Sequence, residues 1–188
     1  MSASDLTSLA NLKAWLGLAQ EVGPSDTLLA RLITAASTFV VDYLGREILT
    51  SVYTEVYDGT GAGWMMLRQS PIASVQSVSF LGRTITEAAD PVAGTQGFLF
   101  DGARLSLVGD TFPHRARVVV SYTAGYATAP AGIEQAVIEL AGEAFRRRDR
   151  IGQTSKSLGG QETTAFSPAD MNAAIKAMLA PYKAVVPV

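Results

Sequence analysis

The sequence predicts an α+β fold, a small α-helical bundle of about four helices from both chain ends with an antiparallel β-sheet insertion in the middle. Three observations predict it. Apolar residues recur at helical spacing near both termini. Between about Thr50 and Tyr122 that period gives way to short runs rich in Val, Tyr, Phe and Thr, separated by Gly, Asp and Pro. The stretch from Arg117 to Ile151 then joins the two regimes, running from a β-branched strand through a Gly-Tyr turn and a Pro-marked helix start to an arginine-rich end.

Residues 1–49 read as the first part of the helical body. Leu6, Leu9, Leu12 and Leu16 mark a short first helix, with Gly17 near its end and Trp15 beside its apolar stripe. Pro24-Ser25-Asp26 opens a second helix, where a Ser25 or Asp26 oxygen can accept a free N–H. Leu29, Ile33, Ala36, Val40 and Tyr43 form its apolar series, and Gly45 stops it.

Residues 50–125 read as the β insertion lobe. Val52, Thr54 and Val56 share one face of its first strand and Tyr53, Glu55 and Tyr57 the other. Asp58-Gly59 turns the chain toward Trp64-Met65-Met66-Leu67. Further strands are expected at Ser74 to Phe80, Arg83 to Thr86, Phe98 to Phe100, Arg104 to Leu107 and Ala116 to Tyr122. Leu81-Gly82 and Asp101-Gly102 suit tight hairpins, and Ala88 to Gly97 reads as an exposed loop.

Residues 126–188 complete the helical body. Ile133, Val137, Leu140 and Ala144 recur at helical spacing in a helix from about Ala131 to Asp149. A last helix is expected from Pro168 to about Tyr182, with Ser167 as its cap. Between them residues 152–166, with Gly159-Gly160 at the centre, read as a mobile loop, and residues 181–188 as a C-terminal tail.

Composition limits the chemistry. The 188 residues suffice for one sizeable domain, or a helical body carrying a β insertion, and would bury roughly 70% of the unfolded surface. With no cysteine, disulfides, thiolate metal sites and cysteine nucleophiles are excluded. A net charge of −2 argues against a broad basic face for nucleic acid. Met1 to Asp5 lacks the pattern of a signal peptide, and no apolar run approaches the roughly 20 residues of a membrane span. The chain reads as soluble and unprocessed.

No catalytic constellation emerges. His114 is the single histidine and reads as an exposed turn residue. Gly59-Thr60-Gly61-Ala62-Gly63 superficially suggests a phosphate loop, yet a strand-like Trp64-Met65-Met66-Leu67 follows where a helix N-terminus would be needed, so a hairpin connection is the better reading. Glu139 and Glu143 are four apart, the spacing of a solvated helix face. Tyr122, Tyr126, Trp15 and Trp64 read as core or lobe-to-lobe packing. Arg146-Arg147-Arg148-Asp149-Arg150 exceeds what capping a helix needs, and subunit contact is favoured over DNA contact because the whole chain is acidic.

Taken in order, Leu12-Lys13-Ala14-Trp15-Leu16, Asp26 to Ala36, Ser121 to Tyr126, Pro130 to Gln135, Arg146 to Gly152 and Phe166 to Met171 resemble the head-tail connector, or adaptor, proteins of long-tailed double-stranded DNA bacteriophages and related gene transfer agents. The resemblance spans nearly the whole chain and implies a structural virion protein of the neck, made in the bacterial host cytoplasm and not an enzyme. It implies a homo-oligomeric ring, commonly of twelve subunits, beneath the portal protein. Such a ring extends the DNA channel and supports attachment of a tail-side neck or stopper protein. Double-stranded DNA would pass through without sequence-specific binding, and no membrane or cofactor is implied. Arg146, Arg147, Arg148, Arg150, Gly159, Gly160, Phe166, Tyr182, Val185 and Val186 are the expected interface residues, with no catalytic, cofactor or metal residue. The alternative is a small acidic enzyme or ligand-binding domain with an unrecognised site, which would need a pocket holding at least two perturbed titratable groups.

Overall fold

The computed structural model describes residues 5–90, 92–148, 155–158, 162–165 and 171–183. It divides into two units, Met1–Arg46 with Ala129–Val188, and Glu47–Thr128. The fold is mixed α+β, with the strand-rich segment inserted between helices as expected.

In the first unit, Ser8 takes extended dihedrals and its hydroxyl accepts from Asn11 N at 3.1 Å, so helix α1 begins at once over Leu9–Leu16. Gly17, at φ +70°, ends it: the Gly17 N–H bonds to Ala14 O and the Leu18 N–H to Lys13 O, which satisfies carbonyls left over at the helix end. α2 spans Asp26–Leu44 and stops at left-handed Gly45. Neither side-chain cap expected at its start forms. Ser25 makes no cap bond, and the Asp26 carboxylate is taken by Lys13, whose Nζ lies 2.7 Å from Oδ1 and also donates to Glu21 O at 2.7 Å. A nearly buried ammonium attracts the carboxylate more strongly than a helix N–H does.

α2 is long and apolar enough to cross a membrane by length and composition, contrary to the reading that no run comes close. Its buried residues, Leu29, Ile33, Ala36, Ser37, Val40 and Leu44, nevertheless recur every three or four positions, the pattern of a helix packed on one side. Much of that packing is against α3, Ala131–Arg147. The buried stripe of α3 runs through Ile133, Ala136, Val137, Ile138, Ala141, Gly142 and Phe145. Leu140 is only half-buried and Ala144 is exposed, so the stripe turns away from two expected positions. Glu134 ties α3 to the N-terminal segment, accepting from Asn11 Nδ2 at 2.6 Å and Thr7 Oγ1 at 3.1 Å.

The last helix, α4, covers Ala173–Leu179 and continues as a 3-10 turn through Ala180–Tyr182. It starts later than expected because Asn172 caps it, Oδ1 accepting from Ile175 N at 2.8 Å; the expected cap, Ser167-Pro168, lies outside the described residues. Within the segment expected to be a loop, Ser155–Leu158 and Glu162–Ala165 pair as an antiparallel hairpin. The β-branched Thr163-Thr164 favour it.

In the second unit seven strands, β1 to β7, form two antiparallel sheets. The first has the order β1 (Ser51–Asp58), β7 (Arg117–Ala124), β3 (Ile72–Phe80) and β4 (Arg83–Ile85); the second has the order β2 (Trp64–Met66), β6 (Arg104–Val108) and β5 (Gly97–Asp101). The hairpin strands Ser155–Leu158 and Glu162–Ala165 are β8 and β9. Alternation decides which side chains are inside: Val118, Val120, Tyr122 and Ala124 of β7 join Val78 and Phe80 of β3, and Leu105 and Phe98 of the second sheet, in one buried cluster around Phe112. Each such side chain contributes roughly 1.5–3 kcal/mol by leaving water. Leu81, at φ 49°, and Gly82, at φ 73°, make the two-residue turn between β3 and β4.

Gly59 has a steric reason to be glycine: a Cβ there would lie 1.9 Å from Pro113 O. The glycine loop closes onto the segment before β7, with Gly59 N donating to Ala116 O at 2.7 Å, Gly61 N to Phe112 O at 2.8 Å and Phe112 N to Ala62 O at 2.9 Å. Those N–H groups are spent on the fold instead of facing a phosphate.

Candidate assembly surface

The C-terminal turn of α3 presents Arg146, Arg147 and Arg148, all exposed. They are not equivalent. Arg147 pairs with Glu143 one turn back, and Arg148 bonds through Nη1 to Phe145 O at 3.4 Å while its guanidinium lies 3.7 Å from the Phe145 ring centroid. Both therefore have local roles, complementing the helix dipole and covering an apolar ring. Arg146 has no recorded ion pair among the described residues and is the cation this turn offers most freely.

Tyr182 belongs to a different place. It is half-buried, and a Cβ on Gly132 would sit 3.7 Å from its ring. Next to it, Lys183 Nζ stands 5.1 Å from the Tyr43 ring centroid. Gly132 and Arg146 are fourteen residues apart on one helix, about 21 Å at 1.5 Å per residue. The structure thus separates two expected interface residues to opposite ends of α3. Arg150, Gly159, Gly160, Phe166, Val185 and Val186 lie outside the described residues.

Sequence reading missed a polar cluster on the inner face of the first sheet. Tyr122 OH donates to Glu55 Oε2 at 2.7 Å, and Tyr57 OH bonds to the same oxygen. The tyrosine oxygens also accept main-chain N–H groups of the loop after β2, Arg68 N on Tyr57 at 3.0 Å and Gln69 N on Tyr122 at 3.2 Å. The Arg68 guanidinium covers the Tyr57 ring at 4.6 Å and stands 4.0 Å from Glu55. Burial, reinforced by the Glu55 carboxylate, pushes the Tyr57 hydroxyl up to about 12, and burial raises Tyr122 as well. Neither can act as a base near neutral pH. This is a structural lock, and its signal was available: alternation had put a carboxylate, Glu55, on the face of two tyrosines.

A small cavity of about 170 Å³ is lined by residues including Arg83, Thr86, Gln96 and Asp110, with Arg83 and Asp110 3.4 Å apart across it. That is below the roughly 300–1,000 Å³ of ligand pockets. Among the described residues no group of three or more His, Asp or Glu is placed to hold a metal ion. His114 is exposed, as expected. Tyr122 is fully buried, whereas Trp15 and Trp64 are each 47% exposed, so neither tryptophan takes the core role, one of the two expected for them. Trp15 lies along Gly142, and Trp64 is stacked by Arg104 at 5.1 Å.

The family described as "Head completion protein" matches residues 5–185. Among solved structures, a chain from the neck of a native GTA particle computed with C12 symmetry is 17% identical with a TM-score of 0.58, covering 100% of this chain and 95% of that one. A chain from the neck of an empty GTA particle computed with C6 symmetry is 20% identical with a TM-score of 0.56, again covering 100% and 95%. A chain from the virion of a native gene transfer agent particle is 19% identical with a TM-score of 0.58, covering 100% and 94%. No curated protein matches the sequence.

Proposed function

The chain belongs to the head completion protein family, and on that premise we propose that it is a structural neck protein of a phage or phage-like particle, an adaptor that forms a ring beneath the portal. The family is one of structural virion proteins, not of enzymes. The ring extends the DNA channel and carries the tail-side neck or stopper protein. The observation that carries this reading is the family match over nearly the whole chain, with the fold shared by GTA neck chains in support.

Physical features agree with a channel-lining ring subunit. A cyclic assembly closes only when two unlike patches of one subunit meet. The two ends of α3 are unlike: one is cationic, the other is packed by Tyr182. An acidic chain with a net charge of −2 suits passing DNA that must not be gripped. Twelve subunits is the expected number, and the 181–188 tail is the segment assigned to the portal.

Electron microscopy of the purified protein, alone and mixed with its portal, tests the reading. The expected image is a ring seated coaxially on the portal, lost or weakened when residues 184–188, beyond the packed Tyr182, are deleted. Portal rings that stay bare at micromolar adaptor would refute it.

A further inference from the structure

β1 is an edge strand, paired only with β7, and it is eight residues long with no lysine or proline to blunt it. The Gly59 N–H bond to Ala116 O fixes the phase of the ladder: residues paired in step with Gly59, namely 51, 53, 55 and 57, turn their main-chain groups toward β7. Val52, Thr54 and Val56 therefore turn theirs outward. The Arg68 guanidinium reaching Val56 O at 3.5 Å from outside confirms that phase. No described residue bonds to the outward groups of Val52 or Thr54. The side chains of Val52, Thr54 and Val56 on this edge are uncharged and exposed, Val52 at 71%.

The hairpin β8–β9 has the complementary deficiency. It forms a two-stranded sheet that pairs with no other strand among the described residues. Two strands alone are marginal in water, and a third is the usual remedy. Its β9 strand, Glu162–Ala165, carries β-branched Thr163 and Thr164, which suit a sheet.

We propose that β9 of one subunit adds to the β1 edge of the next, extending the four-stranded sheet across the contact between copies. This rests on the ring reading for the second copy's proximity. The contact is of the unlike-patch kind, hairpin to edge strand, so it propagates around a ring instead of ending at a dimer. Its binding comes from main-chain hydrogen bonds.

The chain has no cysteine, so paired cysteines report cleanly. Copies carrying Thr54→Cys are mixed with differently tagged copies carrying Thr163→Cys or Thr164→Cys, alone and with portal rings, and oxidised. A disulfide between the two tags is expected for one of the two registers. In parallel, Thr54→Pro removes an outward N–H that β7 does not use, and should raise the concentration needed for ring assembly at least tenfold while circular dichroism and melting stay near wild type. Thr54→Val, which keeps that N–H, should assemble normally. Wild-type rings with no cross-link and a normal Thr54→Pro variant would overturn the strand addition and leave the ring standing. Cross-linked copies without rings would support the addition and refute the ring. A disulfide found only within single chains carrying both cysteines would show that the hairpin covers its own β1, which also overturns the proposal.

Discussion

Replacing Tyr122 by Phe removes one oxygen and keeps the ring. That oxygen donates to Glu55 Oε2 at 2.7 Å and accepts from Gln69 N at 3.2 Å, in a residue with no exposed surface. A hydrogen bond to a charged group contributes about 1.5–3 kcal/mol, and an N–H left without its acceptor costs about 1 kcal/mol more. The ring contact with Tyr53, 5.7 Å between centroids, survives. The expected loss is about 3 kcal/mol, or roughly 6–12 °C in melting temperature for a chain of this size. Urea unfolding measures it, and a cycle with Glu55→Gln should show the two changes to be strongly non-additive. Alkaline pH supplies an independent readout. Tyr57 rises from the ordinary 10 to about 12 on folding, so the stability it lends is complete below pH 10 and is lost as pH climbs from about 10 to about 12. Tyr122 is raised in the same direction, so Tyr122→Phe should make the alkaline decline shallower. A loss under about 0.5 kcal/mol with an unchanged alkaline slope would refute the lock.

Three further outcomes are expected. Gly125→Ala should unfold the second unit or cost more than about 2 kcal/mol, because Gly125 sits at φ +116° and a Cβ would lie 2.6 Å from Leu49 O; chemical denaturation checks this. The Lys13 hydrogen bond holds the Asp26 carboxyl below 3.8, so its contribution is complete above about pH 3.8 and is lost as pH falls through the lowered value; Asp26→Asn should flatten that acid decline in pH-dependent melting. Arg146→Glu with Arg147→Glu should weaken ring formation by electron microscopy while the monomer loses no more than about 1 kcal/mol, since Arg147 faces Glu143 across one exposed helical turn.

Periodicity made most of the fold legible. The switch from helical to alternating spacing marked the β region, and alternation correctly separated Val52, Thr54 and Val56 from Tyr53, Glu55 and Tyr57; the structure exposes the first set and turns the second inward. Glycines at positions 17 and 45 marked helix ends because left-handed backbone there excludes most other residues. Local chemistry failed where a distant partner competed for the same group: Asp26 could not be read as a Lys13 ligand, since thirteen residues and a turn separate them. Asn172 was overlooked because Ser167-Pro168 is the stronger sequence signal. The arginine run was conspicuous, but nothing in its spacing separates Arg146 from Arg148, which is committed to the Phe145 ring. The division of the strands into two sheets depends on pairings distant in sequence, such as β1 with β7, which local patterns do not encode.

The strand-rich unit is one continuous segment, whereas the helical unit is made from the two pieces on either side of it. This sets an order of events on the ribosome. α1 and α2 emerge first, yet the helix that covers their apolar faces begins at Ala131, after the entire β segment. At about 5–20 residues per second, the 19-residue α2 waits several seconds for its cover while β1 to β7 can already close on themselves. A nascent chain therefore carries a finished β unit and a still uncovered apolar helix, and holding chaperones would meet it through α2.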